Sequence, residues 1–153
     1  MSKNNFTQRV DMKTSAPNLF RKMQEMSRPT DDIELDAVIR ELIKVLASQM
    51  NRRAYCLSMH VESARKVGIS DDRLHLLNAW RDAPCFTESE RVALELTEAV
   101  TEISRQGVPE SLYDRVRQHF SGEQYVALLA TINAINAWNR FMIGLAYTPS
   151  LDS

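Results

Sequence analysis

Glycine and cysteine are the scarce residues of this chain. Four glycines in 153 residues, with few hairpin-type turn signals, argue against a sheet-rich fold, because tight strand connections need residues that adopt positive φ. Two cysteines are too few for a disulfide framework in a domain of this size. An excess of one charge is also lacking. Formal net charge is −1 and the pI is near 6.3, so no general attraction to nucleic acid or anionic lipid is expected. No apolar run reaches the length that spans a membrane. The segment from Met1 to Asp11 is polar without an apolar core, unlike a secretory signal, and a cytoplasmic, reducing location is the expectation. Neither a phosphate-binding loop nor a dinucleotide glycine pattern occurs.

What is present reads as helix. Apolar residues make up 44% and charged residues 25%, as in ordinary soluble globular proteins, and the length suits one domain. Ala16-Pro17 opens a stretch with Leu19, Phe20, Met23 and Met26 at helical spacing, proline being tolerated in a first turn. From Leu35 to Met50, Val38, Ile39, Leu42, Ile43, Val45 and Leu46 recur at three- and four-residue intervals and make one broad buried face. Asn51-Arg52 marks a break, and Ala54 to Val67 reads as the next helix, ended by Gly68. Ser70 caps a helix bearing Leu74, Leu77 and Trp80. Thr87-Glu88-Ser89-Glu90 and Ser121-Gly122-Glu123-Gln124 have the form of capping boxes, in which cap and third residue satisfy each other's backbone donors. The first leads into Val92 to Ile103 and on to Gly107; the second leads into a long apolar helix from Tyr125 to about Ala146. Between them Pro109 opens a helix with Leu112, Val116 and Phe120. The expected architecture is all-α, a single domain over 17–153 of roughly seven helices with short connections. Residues 1–16 are read as a mobile N-terminal segment, or one that packs on a neighbouring subunit.

Chemistry concentrates between Glu41 and His60. Cys56 and His60 are four residues apart and share a helical face, while Glu41 lies on the preceding stretch between Val38 and Val45. A thiol attacks as its thiolate, and a free cysteine, with a pKa of about 8.5, is mostly protonated at neutral pH. Three features favour the thiolate here: the start of a helix, the guanidinium of Arg53 three residues before, and His60 as proton acceptor. Glu41 is placed to orient His60 or to take its proton. Tyr55 and Trp80 are candidate walls of the thiol site, although buried aromatic packing is the simpler reading of each. Bland readings stand beside these: Cys56 as inert packing, Glu41 paired with Lys44 on a solvated face, and Cys85 as apolar filler at a loop–helix junction. The sequence leaves a Cys56–Cys85 bridge open. Asn133, Asn136 and Asn139 form a polar strip that lines a pocket or bonds across a subunit interface. One cysteine, one histidine and one glutamate do not supply a structural zinc set, so neither metal nor cofactor is expected.

Taken together, Glu41-Leu42-Ile43, Ser48-Gln49-Met50-Asn51, Ala54-Tyr55-Cys56 and Met59-His60 resemble the alkylhydroperoxidase D-like (AhpD-like) branch of the carboxymuconolactone decarboxylase family. The likeness runs on through Ala64 to Gly68, Trp80-Arg81, Phe86-Thr87-Glu88, Glu90-Arg91 and Ile135 to Arg140, and so covers the chain from about residue 17. It implies an AhpD-like helical fold that assembles as trimers or hexamers. In the family's peroxidase members a Cys-x-x-Cys pair works with a glutamate twelve residues before the first cysteine and a histidine four after the second. Cys56, His60 and Glu41 fall on three of those positions, as peroxide-attacking thiol and proton relay. The resolving cysteine's position holds Arg53.

Three functions are compatible with this. One is a thiol-dependent peroxidase in which Cys56 reduces an organic hydroperoxide and an external thiol or Cys85 resolves the product, Arg53 stabilising the thiolate and the departing oxyanion. Another is a decarboxylase-type acid–base enzyme that uses His60 and Glu41 on a small organic acid or lactone. The last is a non-catalytic redox sensor or scaffold.

Overall fold

The structure, a computed structural model, describes residues 7–29 and 31–149. Among the described residues it is all-helical, with nine α-helices, one 3-10 turn and no strand. A single-turn α1 (Met12–Ser15) leads into α2 (Pro17–Ser27) and, after a loop, α3 (Ala37–Met50). Next come α4 (Ala54–Lys66) and α5 (Asp71–Leu76), the latter continued by the 3-10 turn Leu77–Ala79. The chain closes with α6 (Glu88–Thr101), α7 (Ile103–Gln106), α8 (Glu110–Arg117) and α9 (Gly122–Leu145).

The longer helices begin where their capping chemistry begins. Thr87 and Ser121 each accept from the backbone of the third helical residue, while Glu90 and Gln124 reach back to the cap. The second box therefore starts α9 at Gly122, three residues before the start expected from its apolar run. Ser70 caps α5 through the N–H of Arg73 at 3.3 Å.

Two helices differ from the sequence reading. The run expected to continue to Gly107 breaks at Glu102 (φ −105°, ψ 44°) and resumes as α7. Gly107, at φ +65°, then ends it in a conformation that costs a side chain strain. The other is α1. The N–H of Thr14 donates to Asp11 Oδ1 at 2.8 Å, Met12 is buried, and Arg9 N–H reaches the Leu145 carbonyl at 2.9 Å. Within the segment read over 1–16, the chain from Arg9 onward contacts the end of its own α9. Residues 1–6 lie outside the described residues.

Helix α3 is the axis of the molecule because its apolar residues serve three clusters. Ile39 and Ile43 pack with Val92 and Leu96 of α6, Leu112 and Val116 of α8, and Leu128 and Ile132 of α9. Leu42, Val45 and Leu46 face Ala64, Ile69, Leu74, Leu77, Trp80, Phe86 and Leu94. Ala47 meets Met12, Cys56, Ile135 and Met142. Full burial of each large aliphatic chain is worth about 1.5–3 kcal/mol, so the breadth of the α3 face translates directly into a central position.

Polar side chains fix the α3–α9 register. Asn51 Nδ2 donates to Asn136 Oδ1 at 2.9 Å, and Asn136 Nδ2 donates to Thr101 Oγ1 at 3.0 Å. Ser48 Oγ donates to Asn139 Oδ1 at 3.4 Å, whereas Asn133 is exposed. Two members of the asparagine strip thus bond within the protomer. Asn136→Ala is expected to lower stability by about 1–3 kcal/mol, because it removes a buried amide and leaves the half-buried Asn51 and Thr101 each short of a hydrogen bond. Urea unfolding measures it, and a loss under about 0.5 kcal/mol, the range of a neutral surface change, would contradict this role.

Candidate active site

The α3–α4 junction places the reactive residues. Asn51 also donates to the Ala47 carbonyl at 2.9 Å, and Arg52 takes a left-handed conformation at φ +52°, which costs a non-glycine residue about 1–2 kcal/mol. Arg53 N–H then bonds the Ser48 carbonyl at 3.0 Å. This tight reversal lays α4 back along α3. Arg53 becomes the N-cap residue of α4 without a side-chain cap, and Cys56 falls in its first turn.

Cys56 is 1% exposed, at the inner wall of a cavity of about 350 Å³ between α2, α4 and α9. His60 lines the same cavity one helical turn later. From α3, Glu41 approaches His60, with Oε2 standing 3.9 Å from Nδ1. That separation lies just beyond hydrogen-bond reach, as catalytic contacts often do before substrate binds. Neither atom has another hydrogen-bond partner, and both are buried. The second oxygen of Glu41 accepts from Lys44 Nζ at 3.1 Å. The Lys44 pairing expected of a solvated face therefore exists, but the Glu41 side chain keeps only 13% exposure and serves His60 as well.

Electrostatics here run against the sequence expectation for the thiol. Burial raises the Cys56 pKa to about 11, and the Arg53 guanidinium opposes that rise only in part. Helix position favours an anion, but the apolar surroundings disfavour it more. His60 is displaced the other way, to about 4, chiefly by burial and then by the Lys44 charge. At neutral pH the cavity thus holds a protonated thiol and, one helical turn along, a neutral imidazole. With Nδ1 turned to Glu41, the ring nitrogen left to accept a proton is Nε2.

The other sequence candidates divide. Tyr55 lines the cavity, held edge-to-face against Tyr147 with ring centroids 5.4 Å apart. Trp80 does not line it. Its ring is buried in the Leu42–Leu77 cluster and its Nε1 donates to Glu98 Oε1 at 3.0 Å. The motif around it is a structural clamp: the Arg91 guanidinium donates to the carbonyls of Trp80, Ala83 and Phe86, and Arg73 pairs with Glu90 at 2.5 Å. Cys85 packs on that same cluster, and both cysteines are free thiols.

Residues that the sequence reading passed over complete the cavity. Phe20 and Arg28 come from the α2 region, Trp138 and Met142 from α9, and Tyr147 from just beyond it. Trp138 Nε1 donates to Ser27 Oγ at 2.5 Å, and its ring meets Phe20 edge-on at 5.7 Å. The helically spaced apolar residues of α2 were the available signal, since a helix with no fully buried residue still offers one side to a neighbour.

The arrangement of the helices is that of the AhpD-like fold. A protein of unknown function from Agrobacterium tumefaciens, proposed to be an AhpD antioxidant defence protein, superimposes with a TM-score of 0.90 at 32% identity, over 95% of this chain and 100% of that one. A peroxidase-related protein from Ralstonia eutropha, described as an alkylhydroperoxidase AhpD core, shares the fold with a TM-score of 0.76 at 20% identity, over 91% of this chain and 74% of that one. In sequence, the uncharacterized protein YdfG of Bacillus subtilis is 42% identical over 139 residues, 91% of this chain and 95% of its own length. Residues 17–99 match the Carboxymuconolactone decarboxylase family. The chain belongs to that family. No helix among the described residues is long and apolar enough to cross a membrane.

Proposed function

We propose that the protein is a one-cysteine thiol peroxidase that reduces organic hydroperoxides in antioxidant defence. The observation that carries this is the meeting of Cys56 and His60 on one cavity, with Glu41 behind the imidazole. The Agrobacterium relative, with its proposed antioxidant role, supports the same reading.

In the oxidative step the Cys56 sulfur attacks the outer oxygen of ROOH. The S–O bond forms as the O–O bond breaks, giving a sulfenic acid and ROH. His60 takes the thiol proton and returns it to the departing alkoxide. Glu41 holds the imidazole and stabilises the imidazolium while it exists. Arg53 adds positive charge near the sulfur. Because Arg53 stands where a resolving cysteine would be, an external thiol completes the cycle. The first thiol displaces water to form a mixed disulfide; a second releases Cys56 and carries off the oxidised pair.

Trapping tests the oxidative step. One equivalent of cumene hydroperoxide followed by dimedone is expected to label Cys56 near stoichiometrically, read by intact mass and peptide mapping. An unlabelled Cys56 with the hydroperoxide unconsumed rejects the peroxidase. The acid–base reading on a small organic acid, favoured by the neutral buried His60, would then take its place.

A further inference from the structure

Two cavities differ sharply in their electrical balance. A cleft of about 460 Å³ between α6, α7 and α8 contains Arg81, Arg105 and Arg115. Each is already paired, with Glu98, Glu102 and Glu95 respectively. That cleft has no charge to offer a ligand.

The Cys56 cavity is different. Its walls are Phe20, Tyr55, Met59, Ile135, Trp138 and Met142, and no aspartate or glutamate lines it. Two cations do, Lys44 and Arg28. The Lys44 charge is offset by Glu41 at 3.1 Å. Arg28 has no carboxylate within ion-pair distance among the described residues. One positive charge is therefore left over beside an apolar chamber. At ~30 Å³ per heavy atom, as in liquid water, about 350 Å³ holds roughly a dozen such atoms. Clefts of this kind fix a ligand by apolar burial and orient it through a few polar groups.

We propose that this cavity selects an apolar monoanion, a medium-chain or aromatic carboxylate, with Arg28 as the group that holds the carboxylate. Resting on the peroxidase reading, this names the substrate class as hydroperoxides of apolar carboxylic acids. The hydrocarbon lies against the aromatic rings and Met142, and the hydroperoxide end is presented to Cys56. Arg28 is a binding residue in this scheme and has no part in the bond-breaking step.

Binding of redox-inert ligands separates this proposal from the thiol chemistry. Decanoate and its neutral amide, decanamide, are titrated into the reduced full-length protein at low salt by calorimetry, with the fluorescence of Trp138 as a second readout. Decanoate is expected to bind at least about fivefold more tightly than the amide, the effect of one charged contact at a half-open site. Arg28→Gln is expected to bring decanoate down to the level of the amide. Equal affinity of the two ligands, binding of neither, or undiminished decanoate binding in Arg28→Gln overturns the proposal. Dimedone labelling by cumene hydroperoxide, which is neutral, reports independently on the peroxidase. Labelling without carboxylate preference retains the peroxidase and removes the anion site; preference without labelling does the reverse.

Discussion

Removing the imidazole in His60→Ala is expected to slow the reaction of Cys56 with hydroperoxide by about 10²–10⁴-fold, the usual contribution of a positioned general base, and Cys56→Ser is expected to leave only background. With the thiol pKa near 11, spontaneous ionisation at pH 7 supplies a thiolate fraction of only ~10⁻⁴. On the peroxidase reading proposed above, the proton leaves as the sulfur attacks, and the base proposed to take it is His60, neutral above pH 4 or so. The pH profile carries the same signature. In His60→Ala the rate should follow the thiolate population, rising tenfold per pH unit toward the thiol pKa. In the wild-type protein the base is available throughout, so the profile should be nearly flat from about pH 6 to 9. Stopped-flow measurements of peroxide reaction decide this. A His60→Ala rate within threefold of wild type, or a wild-type profile with unit slope, would exclude His60 as the base.

Stability is expected to be greatest between about pH 6.5 and 9 and to fall on both sides by about 3 kcal/mol. On the acid side, unfolded His60 takes a proton near 6.5 but the folded protein resists until about 4. The unfolded state binds more protons in that window, so stability is lost as pH falls through it. On the alkaline side, Cys56 ionises near 9.0 when unfolded and near 11 when folded. The native thiol keeps its proton, and stability is lost as pH rises from 9 toward 11. Glu95, held below its ordinary 4.5 mainly by hydrogen bonds from Arg115, adds a loss only below that value. Urea midpoints across pH measure both limbs. His60→Gln should flatten the acid limb and Cys56→Ala the alkaline one; unchanged limbs in those variants would show that other groups are responsible.

Helix starts were legible because their signals are local. The Thr87 and Ser121 boxes and the Ser70 cap each act within three residues, and the face of α3 recurs at a period that a short window captures. The break at Glu102 was not legible, since no proline or glycine marks it and the apolar spacing runs on through Ile103. Within the site, Cys56 and His60 share a helix and could be paired by counting. Glu41 could be linked to them through the family resemblance. Ser27 and Trp138 are brought together across 111 positions, so the far wall of the cavity had no local signature. The thiol's pKa was misjudged for a related reason. Position at a helix start can be read from sequence, but the density of Ala47, Ile135 and Met142 around the sulfur cannot.

The contacts of Tyr147 join the cavity to the segment before α2. Its hydroxyl accepts from the Met12 N–H at 3.0 Å and donates to Asp11 Oδ2 at 3.1 Å, while the ring forms part of the cavity wall. The two are thermodynamically linked: whatever free energy a guest gains from an intact wall is returned as tighter fastening of residues 9–12. Loosening that clasp must weaken the guest by the same factor. Occupancy would then be visible outside the cavity itself, as slowed hydrogen exchange at the Met12 amide.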